Sequence, residues 1–104
     1  MPKRSRQPED ARATIERSRR EIDALDDQLV ALLERRAGCA LAIGRAKRAA
    51  GVPVRDAARE AAVLERVAAR AHGPLDARSI ERVFKTILDV VREVEAAHTE
   101  ESRP

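Results

Sequence analysis

The sequence has almost no aromatic residues and little glycine, and each shortage narrows the range of folds. Phe84 is the only aromatic side chain among 104 residues, and tryptophan and tyrosine are absent. A core of Ala, Val, Leu and Ile buries little area per residue, and a domain of this size is marginal on its own. Four glycines and five prolines leave room for long uninterrupted helices. These shortages predict a small helical domain that needs a partner chain.

Cysteine and long apolar runs are also scarce. Cys39 is the only cysteine, which excludes an internal disulfide and fits a reducing cytoplasm. We expect the Cys39 side chain to pack in the core. No segment reaches the apolar length needed to span a membrane, and residues 1–8 lack the apolar run of a secretory signal. We therefore expect a cytoplasmic protein that does not enter a membrane.

Charged residues of both signs are abundant. The chain has 21 basic and 18 acidic residues, a net charge of +3 and an isoelectric point of about 9.7. A basic excess of this size fits an anionic small molecule, and it also fits DNA or RNA. Charge alone therefore leaves the class of ligand open.

The first predicted helix is too long for one small domain. Apolar residues recur every three or four positions from Ile22 to Ile43. The pattern stops at Gly51 and Pro53, a C-cap glycine followed by a helix breaker. About 33 helical residues extend roughly 50 Å, whereas a compact chain of this length has a radius of gyration of only about 13 Å. We therefore expect a second copy of the chain to bury the apolar stripe.

Two shorter helices follow the first, and the fold class is predicted to be all-α with three helices per chain. Asp56 and Asp76 are the predicted N-caps of the second and third helices. The helical domain is predicted to cover residues 14–98. Residues 1–13 and 99–104 are expected to be disordered tails because they are polar and lack apolar periodicity.

Charged residues interrupt the apolar stripes. Arg36 and Lys47 are eleven residues apart on the first helix, which places them within about 20° of each other around its axis. Glu95 interrupts the stripe of the third helix in the same way. Arg19 lies about 25 Å from Arg36 along the helix, and a compact ligand would contact both only if Arg19 came from a second chain. Because buried charges are costly unless they are paired or bind an anion, this pattern indicates an anion pocket between helices.

Taken singly, each of these charges has a simpler interpretation. Arginine and lysine side chains often extend along an apolar surface with their charged ends in water. Asp56 need only cap a helix, and Arg59 and Glu60, on the same face of the second helix, could be solvated charges. Glu95 lies near a helix end, where a solvated carboxylate is common. Composition and spacing therefore support an anion site without naming the anion.

Four sequence motifs contain all of these charged residues except Glu95. They are Arg19-x-x-Ile22-Asp23-x-Leu25-Asp26, Leu32-Leu33-x-x-Arg36, Ile43-Gly44-x-Ala46-Lys47 and Pro53-Val54-x-Asp56-x-x-Arg59-Glu60. Together they closely resemble the all-α chorismate mutases, over about residues 15–97. The resemblance implies an intertwined helical homodimer with two shared active sites. It also implies rearrangement of chorismate to prephenate on the route to phenylalanine and tyrosine.

The resemblance further implies which residues bind the dianionic substrate. Arg36, Arg59 and Arg19 of the second copy would bind the two carboxylates of chorismate. Lys47 would donate to the ether oxygen whose bond to carbon breaks. Glu95 occupies the position of the second donor to this oxygen, and it must be protonated to donate. Lys47, Glu95 and Arg36 are thus the expected catalytic residues.

The remaining implied contacts concern the substrate ring. Glu60, with the backbone near Asp56, would hold the ring hydroxyl. Val91 departs from the family pattern, since some members carry a serine there that donates a hydrogen bond. The rearrangement needs no nucleophile, metal or redox group, and the sequence has no Cys/His cluster or Ser-His-Asp arrangement. We therefore expect no metal and no cofactor.

Other functions stay open at this point. Isochorismate pyruvate lyases share this fold, as do mutases that act on 4-amino-4-deoxychorismate. The motif from Asp56 to Glu60 favours a mutase over the lyase, but a carboxylate such as Glu60 can hold an ammonium as well as a hydroxyl. A nucleic-acid-binding dimer or a coiled-coil interaction module is less favoured, because the unusual cations lie on inward-facing stripes. Docking on another enzyme of the shikimate pathway is left open.

Overall fold

Three helices make up residues 8–101, the part of the chain that the computed structural model describes. The helices are α1 (Pro8–Ala50), α2 (Ala57–Ala69) and α3 (Ala77–Glu101). Residues 8–101 contain no strand, and the predicted all-α fold with three helices is confirmed. None of these helices has an apolar stretch sufficient to cross a membrane.

The helix α1 begins earlier than the sequence analysis predicts. It starts at Pro8, and residues 8–13, assigned above to a disordered tail, are helical. Proline fits the first turn because the amide hydrogen it lacks would have no helical partner there. Glu9 and Asp10 place negative charge at the positive end of the helix dipole. The rest of the predicted N-terminal tail, residues 1–7, lies outside the described residues.

The helix α3 begins at the predicted cap and ends later than predicted. Oδ1 of Asp76 accepts a hydrogen bond from the backbone N–H of Ser79 at 2.8 Å. Hydrogen bonds from Ser79 hold the pKa of Asp76 below its ordinary value, because they favour the ionised carboxylate. No glycine or proline interrupts α3, and residues 99–101, predicted as tail, remain helical. Residues 102–104 lie outside the described part.

A tight turn at Gly51 ends α1 as predicted. The φ of Gly51 is +72°, a left-handed conformation that glycine adopts without a Cβ clash. The N–H of Gly51 bonds to the carbonyl of Arg48 at 3.2 Å, and the N–H of Val52 bonds to the carbonyl of Lys47 at 3.0 Å. These two bonds form a Schellman motif. The turn brings the following loop back beside Lys47, where the candidate site lies.

The described residues divide into two compact units, and the division falls between Arg36 and Ala37. In the second unit α2 packs against α3, and its buried apolar side chains are Val63 and Val67 of α2, which are 3% and 8% exposed. These two residues are four positions apart, which places both on one face of α2. The core therefore lies along α2, adjacent to the loop that leads into the candidate site.

The apolar stripe of α1 is exposed in the single chain. In the first unit Ile22, Leu25, Leu29 and Leu32 are about half exposed, with exposed fractions of 48–55%. In the second unit Cys39 is exposed too. The expectation that Cys39 packs in the core is wrong for the isolated chain, because the core of this unit forms along α2.

Candidate functional site

Lys47, near the end of α1, lies beside the loop that follows the Gly51 turn. Its Nζ donates to the carbonyl oxygen of Val54 at 3.4 Å and lies 3.9 Å from Oδ2 of Asp56. The Lys47 side chain is 26% exposed, and its charge is therefore less screened by solvent than that of a surface lysine. Two predicted site residues, nine positions apart in the sequence, are thus brought together.

The carboxylate of Asp56 also starts α2. Its Oδ1 accepts a hydrogen bond from the N–H of Arg59 at 2.9 Å, which makes Asp56 the N-cap that the sequence predicts. The carbonyl of Asp56 accepts the N–H of Glu60 at 3.0 Å. This cap fixes the first turn of α2, which carries Arg59 and Glu60. The side chain of Arg59 is exposed in the single chain.

Glu60 lies between two arginines. Its Oε1 is 3.5 Å from Nη2 of Arg55, in the loop before α2, and 3.6 Å from Nη1 of Arg92, on α3. The side chain of Glu60 is 24% exposed, compared with 37% for Arg92 and 65% for Arg55. Arg92 is also paired with Asp89, one turn earlier on α3. The acid that the family resemblance assigns to the ring hydroxyl therefore already has two cationic neighbours.

Glu95 lies against the backbone of α1 at Gly44. A Cβ atom added to Gly44 would lie 3.1 Å from Oε2 of Glu95 and 3.5 Å from Nη1 of Arg48. Gly44 is buried and Glu95 is half-buried. A side chain at residue 44 would therefore push the Glu95 carboxyl group by a few tenths of an ångström from this place. The backbone carbonyl of Glu95 accepts the Thr99 hydroxyl at 2.8 Å, a bond within the last turns of α3.

An open groove of about 490 Å³ connects these groups within the second unit. Its lining residues are Arg48, Val54, Arg55, Glu60, Arg92, Glu95, Ala96 and Thr99. Three guanidinium groups and two carboxyl groups thus surround one space, which suits a ligand with both anionic and hydroxyl groups. Lys47 does not line this groove, but it contacts the carbonyl of Val54, which does.

The remaining predicted site residues, Val91, Arg36 and Arg19, are not among the residues that line the groove. Val91 is half-buried on α3, one turn before Glu95. In the first unit Arg36 is half-buried and Arg19 is exposed. The participation of these residues in the site stays a prediction.

Sequence reasoning missed three arginines of the groove. Arg48 follows Lys47 directly but lies about 100° from it around the helix axis, off the apolar stripe that singled out Lys47. Arg55 has the exposure of an ordinary surface charge. Arg92 precedes Glu95 by three residues, which places both on one face of α3, and this spacing was the signal that could have identified it. Its ion pair with Glu60 joins two helices and has no sequence signature.

No group of three or more His, Cys, Asp or Glu side chains within residues 8–101 is arranged to hold a metal ion. The side chains that do converge are arginines, a lysine and isolated carboxyl groups, which bind anions and hydroxyl groups. The chemistry of the groove is therefore that of charge and hydrogen bonding.

A comparison of the sequence with models of known protein families identifies the family of this chain. The family model described as chorismate mutase type II matches residues 18–96. The chain belongs to the type II chorismate mutase family. The family predicted from the four sequence motifs is confirmed, and the principal functional prediction agrees with it.

The names of curated relatives also include chorismate mutase. The bifunctional chorismate mutase/prephenate dehydratase of Escherichia coli (strain K12) is 44% identical over 73 residues, which cover 68% of this chain and 19% of that protein. The protein of the same name from Shigella flexneri matches with the same identity and coverage. The chain therefore spans about a fifth of the length of the curated relatives it matches.

Solved chorismate mutases have the same fold over nearly their whole length. Form II of the enzyme from Thermus thermophilus superposes with a TM-score of 0.77 and 29% identity, covering 80% of this chain and 94% of that chain. Form I superposes with a TM-score of 0.73 and 29% identity, covering 75% and 98%. The three helices described above therefore form a type II chorismate mutase domain.

Proposed function

We propose that this chain catalyses the intramolecular [3,3] rearrangement of chorismate to prephenate, in the biosynthesis of aromatic amino acids. Family membership over residues 18–96 supports this function. The observation that carries it is the groove of about 490 Å³, which is lined by Glu60, Glu95 and three arginines. Val54 also lines it, and its carbonyl oxygen accepts a hydrogen bond from Lys47. A groove of this volume is in the range of small-molecule sites, which is about 300–1,000 Å³.

Catalysis in this proposal rests on orientation and on charge stabilisation. The rearrangement breaks one C–O bond and forms one C–C bond within the same molecule, and no group is transferred to the protein. Arg36 and Arg59, with Arg19 of a second copy, bind the two carboxylates, since a planar guanidinium pairs with a carboxylate through two hydrogen bonds. These contacts hold the flexible enolpyruvyl side chain over the ring.

Lys47 and Glu95 act where charge develops in the transition state. Negative charge grows on the ether oxygen as its C–O bond breaks, and a fixed cation and donor stabilise it more in the transition state than in the ground state. Lys47 suits this role because Val54 and Asp56 fix the position of its ammonium group. Glu95, when protonated, supplies the second hydrogen bond.

The second copy of the chain completes the site in this proposal. Leu29 and Leu32 of α1 are each 55% exposed in the single chain, and Ile22 is 53% exposed. A continuous apolar stripe of this kind is typical of a protein interface. A homodimer that covers this stripe gives Arg19 a place in the site of the other copy. Docking on another enzyme of the pathway and a cytoplasmic location stay predictions.

Chorismate consumption with identification of the product tests the proposed function. The full chain is incubated with chorismate, with its 4-amino-4-deoxy analogue and with isochorismate. The proposal expects prephenate from chorismate as the preferred reaction. Release of pyruvate from isochorismate, with no prephenate from chorismate, would instead identify the lyase. Conversion of none of the three, together with a salt-dependent shift of bulk DNA, would favour the nucleic-acid-binding alternative.

A further inference from the structure

The charge of Glu60 is balanced before a ligand arrives. Its Oε1 lies 3.5 Å from Nη2 of Arg55 and 3.6 Å from Nη1 of Arg92. Because the Glu60 side chain is only 24% exposed, these charges interact with less screening than a pair in open solvent. The site therefore presents a carboxylate whose negative charge is offset by two cations, one of which, Arg92, is also paired with the more exposed carboxylate of Asp89.

The side chain of Arg92 is held in place beside Glu60 more firmly than that of Arg55. Its side chain is 37% exposed, it lies on α3, and Asp89 pairs with the same guanidinium group. Arg55 lies in a loop and is 65% exposed, and an exposed ion pair of that kind contributes little. Of the two cations, Arg92 should therefore have the larger effect on Glu60.

A carboxylate with two cationic neighbours discriminates between ligand groups. It still accepts a hydrogen bond from a neutral hydroxyl, because a carboxylate has about four acceptor positions. An ammonium at the same place would gain one attraction to Glu60 and meet repulsion from the guanidinium groups of Arg55 and Arg92. Like-charge repulsion is a common way for a site to reject an alternative ligand.

We propose that Arg92, assisted by Arg55, makes Glu60 selective for a hydroxyl over an ammonium group on the substrate ring. The inference rests on the proposed function, in which Glu60 holds the ring hydroxyl of chorismate. Arg92 is a positioning and specificity-determining residue that acts through Glu60. Two arginines that the four sequence motifs do not specify thus set which substrate the mutase accepts.

The test compares two substrates in the same variants. The kcat/KM of the full chain is measured for chorismate and for its analogue with an amino group in place of the ring hydroxyl. Arg92→Gln is expected to reduce the preference for chorismate roughly tenfold, the effect of losing one charge that repels the ammonium. Arg92→Lys keeps the positive charge and should keep most of the preference. Arg82→Gln, the same change at an exposed arginine of α3, is the matched control and should leave the preference unchanged.

The same substitution made in a Glu60→Gln variant shows whether Arg92 acts through Glu60. When Glu60→Gln is already present, adding Arg92→Gln should change the preference less than about twofold, since coupled residues are non-additive. The same tenfold change in that background would show a general charge effect and overturn the inference. An equal loss of activity on both substrates would show a structural role alone and would overturn it as well.

The outcomes separate this inference from the proposed function. Conversion of neither substrate by the wild-type chain overturns the proposed function. Conversion of chorismate with a preference that Arg92→Gln does not alter overturns only the inference, as does a wild-type preference for the amino analogue. If Arg92→Gln fails to fold, Arg55→Gln provides the same test at an exposed position, with a smaller change in the same direction expected.

Discussion

Nζ of Lys47 lies 3.9 Å from Oδ2 of Asp56, and Oδ1 of the same carboxylate accepts the N–H of Arg59 at 2.9 Å. One carboxylate therefore positions the ammonium group of Lys47 and also starts α2. This arrangement depends on the Schellman turn at Gly51, which returns the chain toward Lys47. The proposed catalytic cation and a helix cap are thus parts of the same structure.

Removal of the Lys47 ammonium should reduce turnover without unfolding the protein. Lys47→Ala is expected to lower kcat for chorismate by about 10²–10³, the usual cost of losing one donor to a developing oxyanion. Lys85→Ala is the matched control, since Lys85 pairs with Glu81 on the surface of α3. Steady-state kinetics and circular dichroism on both variants check this. Near-normal turnover in Lys47→Ala would remove Lys47 from the site.

The two functions of Asp56 can be separated by substitution. Asp56→Asn keeps a side-chain acceptor for the cap, and it should stay near wild-type stability while it disturbs Lys47 and lowers activity. Asp56→Ala also loses the cap and should cost about 1 kcal/mol of unfolding free energy. Asp76→Ala removes the cap of α3 and should lower stability but leave activity per folded molecule unchanged. Equal activity in all three variants would contradict the link between Asp56 and Lys47.

Gly44 and Gly38 form a matched pair on α1. A Cβ at Gly38 meets nothing within 4 Å, whereas a Cβ at Gly44 meets Oε2 of Glu95 at 3.1 Å. Gly38→Ala should stabilise α1 by up to about 1 kcal/mol through helix propensity and leave activity unchanged. Gly44→Ala should displace the Glu95 carboxyl group and lower kcat about tenfold, since a small misplacement of a catalytic group is costly. Equal kinetics for the two variants would show that Glu95 does not need this position.

The donor role of Glu95 predicts that an uncharged amide can replace its carboxyl group. A carboxyl group donates a hydrogen bond only when protonated, whereas an amide always carries a donor. Glu95→Gln should therefore keep kcat for chorismate near the wild-type value, and Glu95→Ala, which has no donor, should lower it by about 10²–10³. Steady-state kinetics on the two variants make the comparison. Equal losses of kcat in both variants would refute this role.

Local chemistry made the end of α1 and the starts of α2 and α3 predictable. Gly51 ends α1 because a left-handed residue is needed there, and Asp56 and Asp76 start α2 and α3 because their side chains accept backbone N–H groups. Each of these signals lies within a few residues of its effect. The start of α1 at Pro8 was missed because the apolar period that guided the prediction begins only at Ile22.

Contacts between helices were not predictable in the same way. The period of α3 placed Glu95 on an apolar face, but nothing in the sequence indicated that Gly44 would leave room for its carboxyl group. The pair of Glu60 and Arg92 joins α2 to α3, and its formation depends on how these helices pack. The resemblance to the family motifs identified Glu60 but not its cationic neighbours. A motif describes the order of residues along the chain and does not show which side chains meet across a groove.

Complementation between two inactive variants tests most directly the claim that two copies of the chain build each site. Arg19→Ala and Lys47→Ala proteins are purified, mixed under conditions that exchange subunits, and assayed for chorismate turnover. Each site takes Lys47 from one chain and Arg19 from the other. In a mixed dimer one site therefore lacks both residues, and the other site has both. Random pairing should therefore restore about a quarter of the wild-type activity. A mixture that is shown to contain mixed dimers and is no more active than its two components would contradict the account.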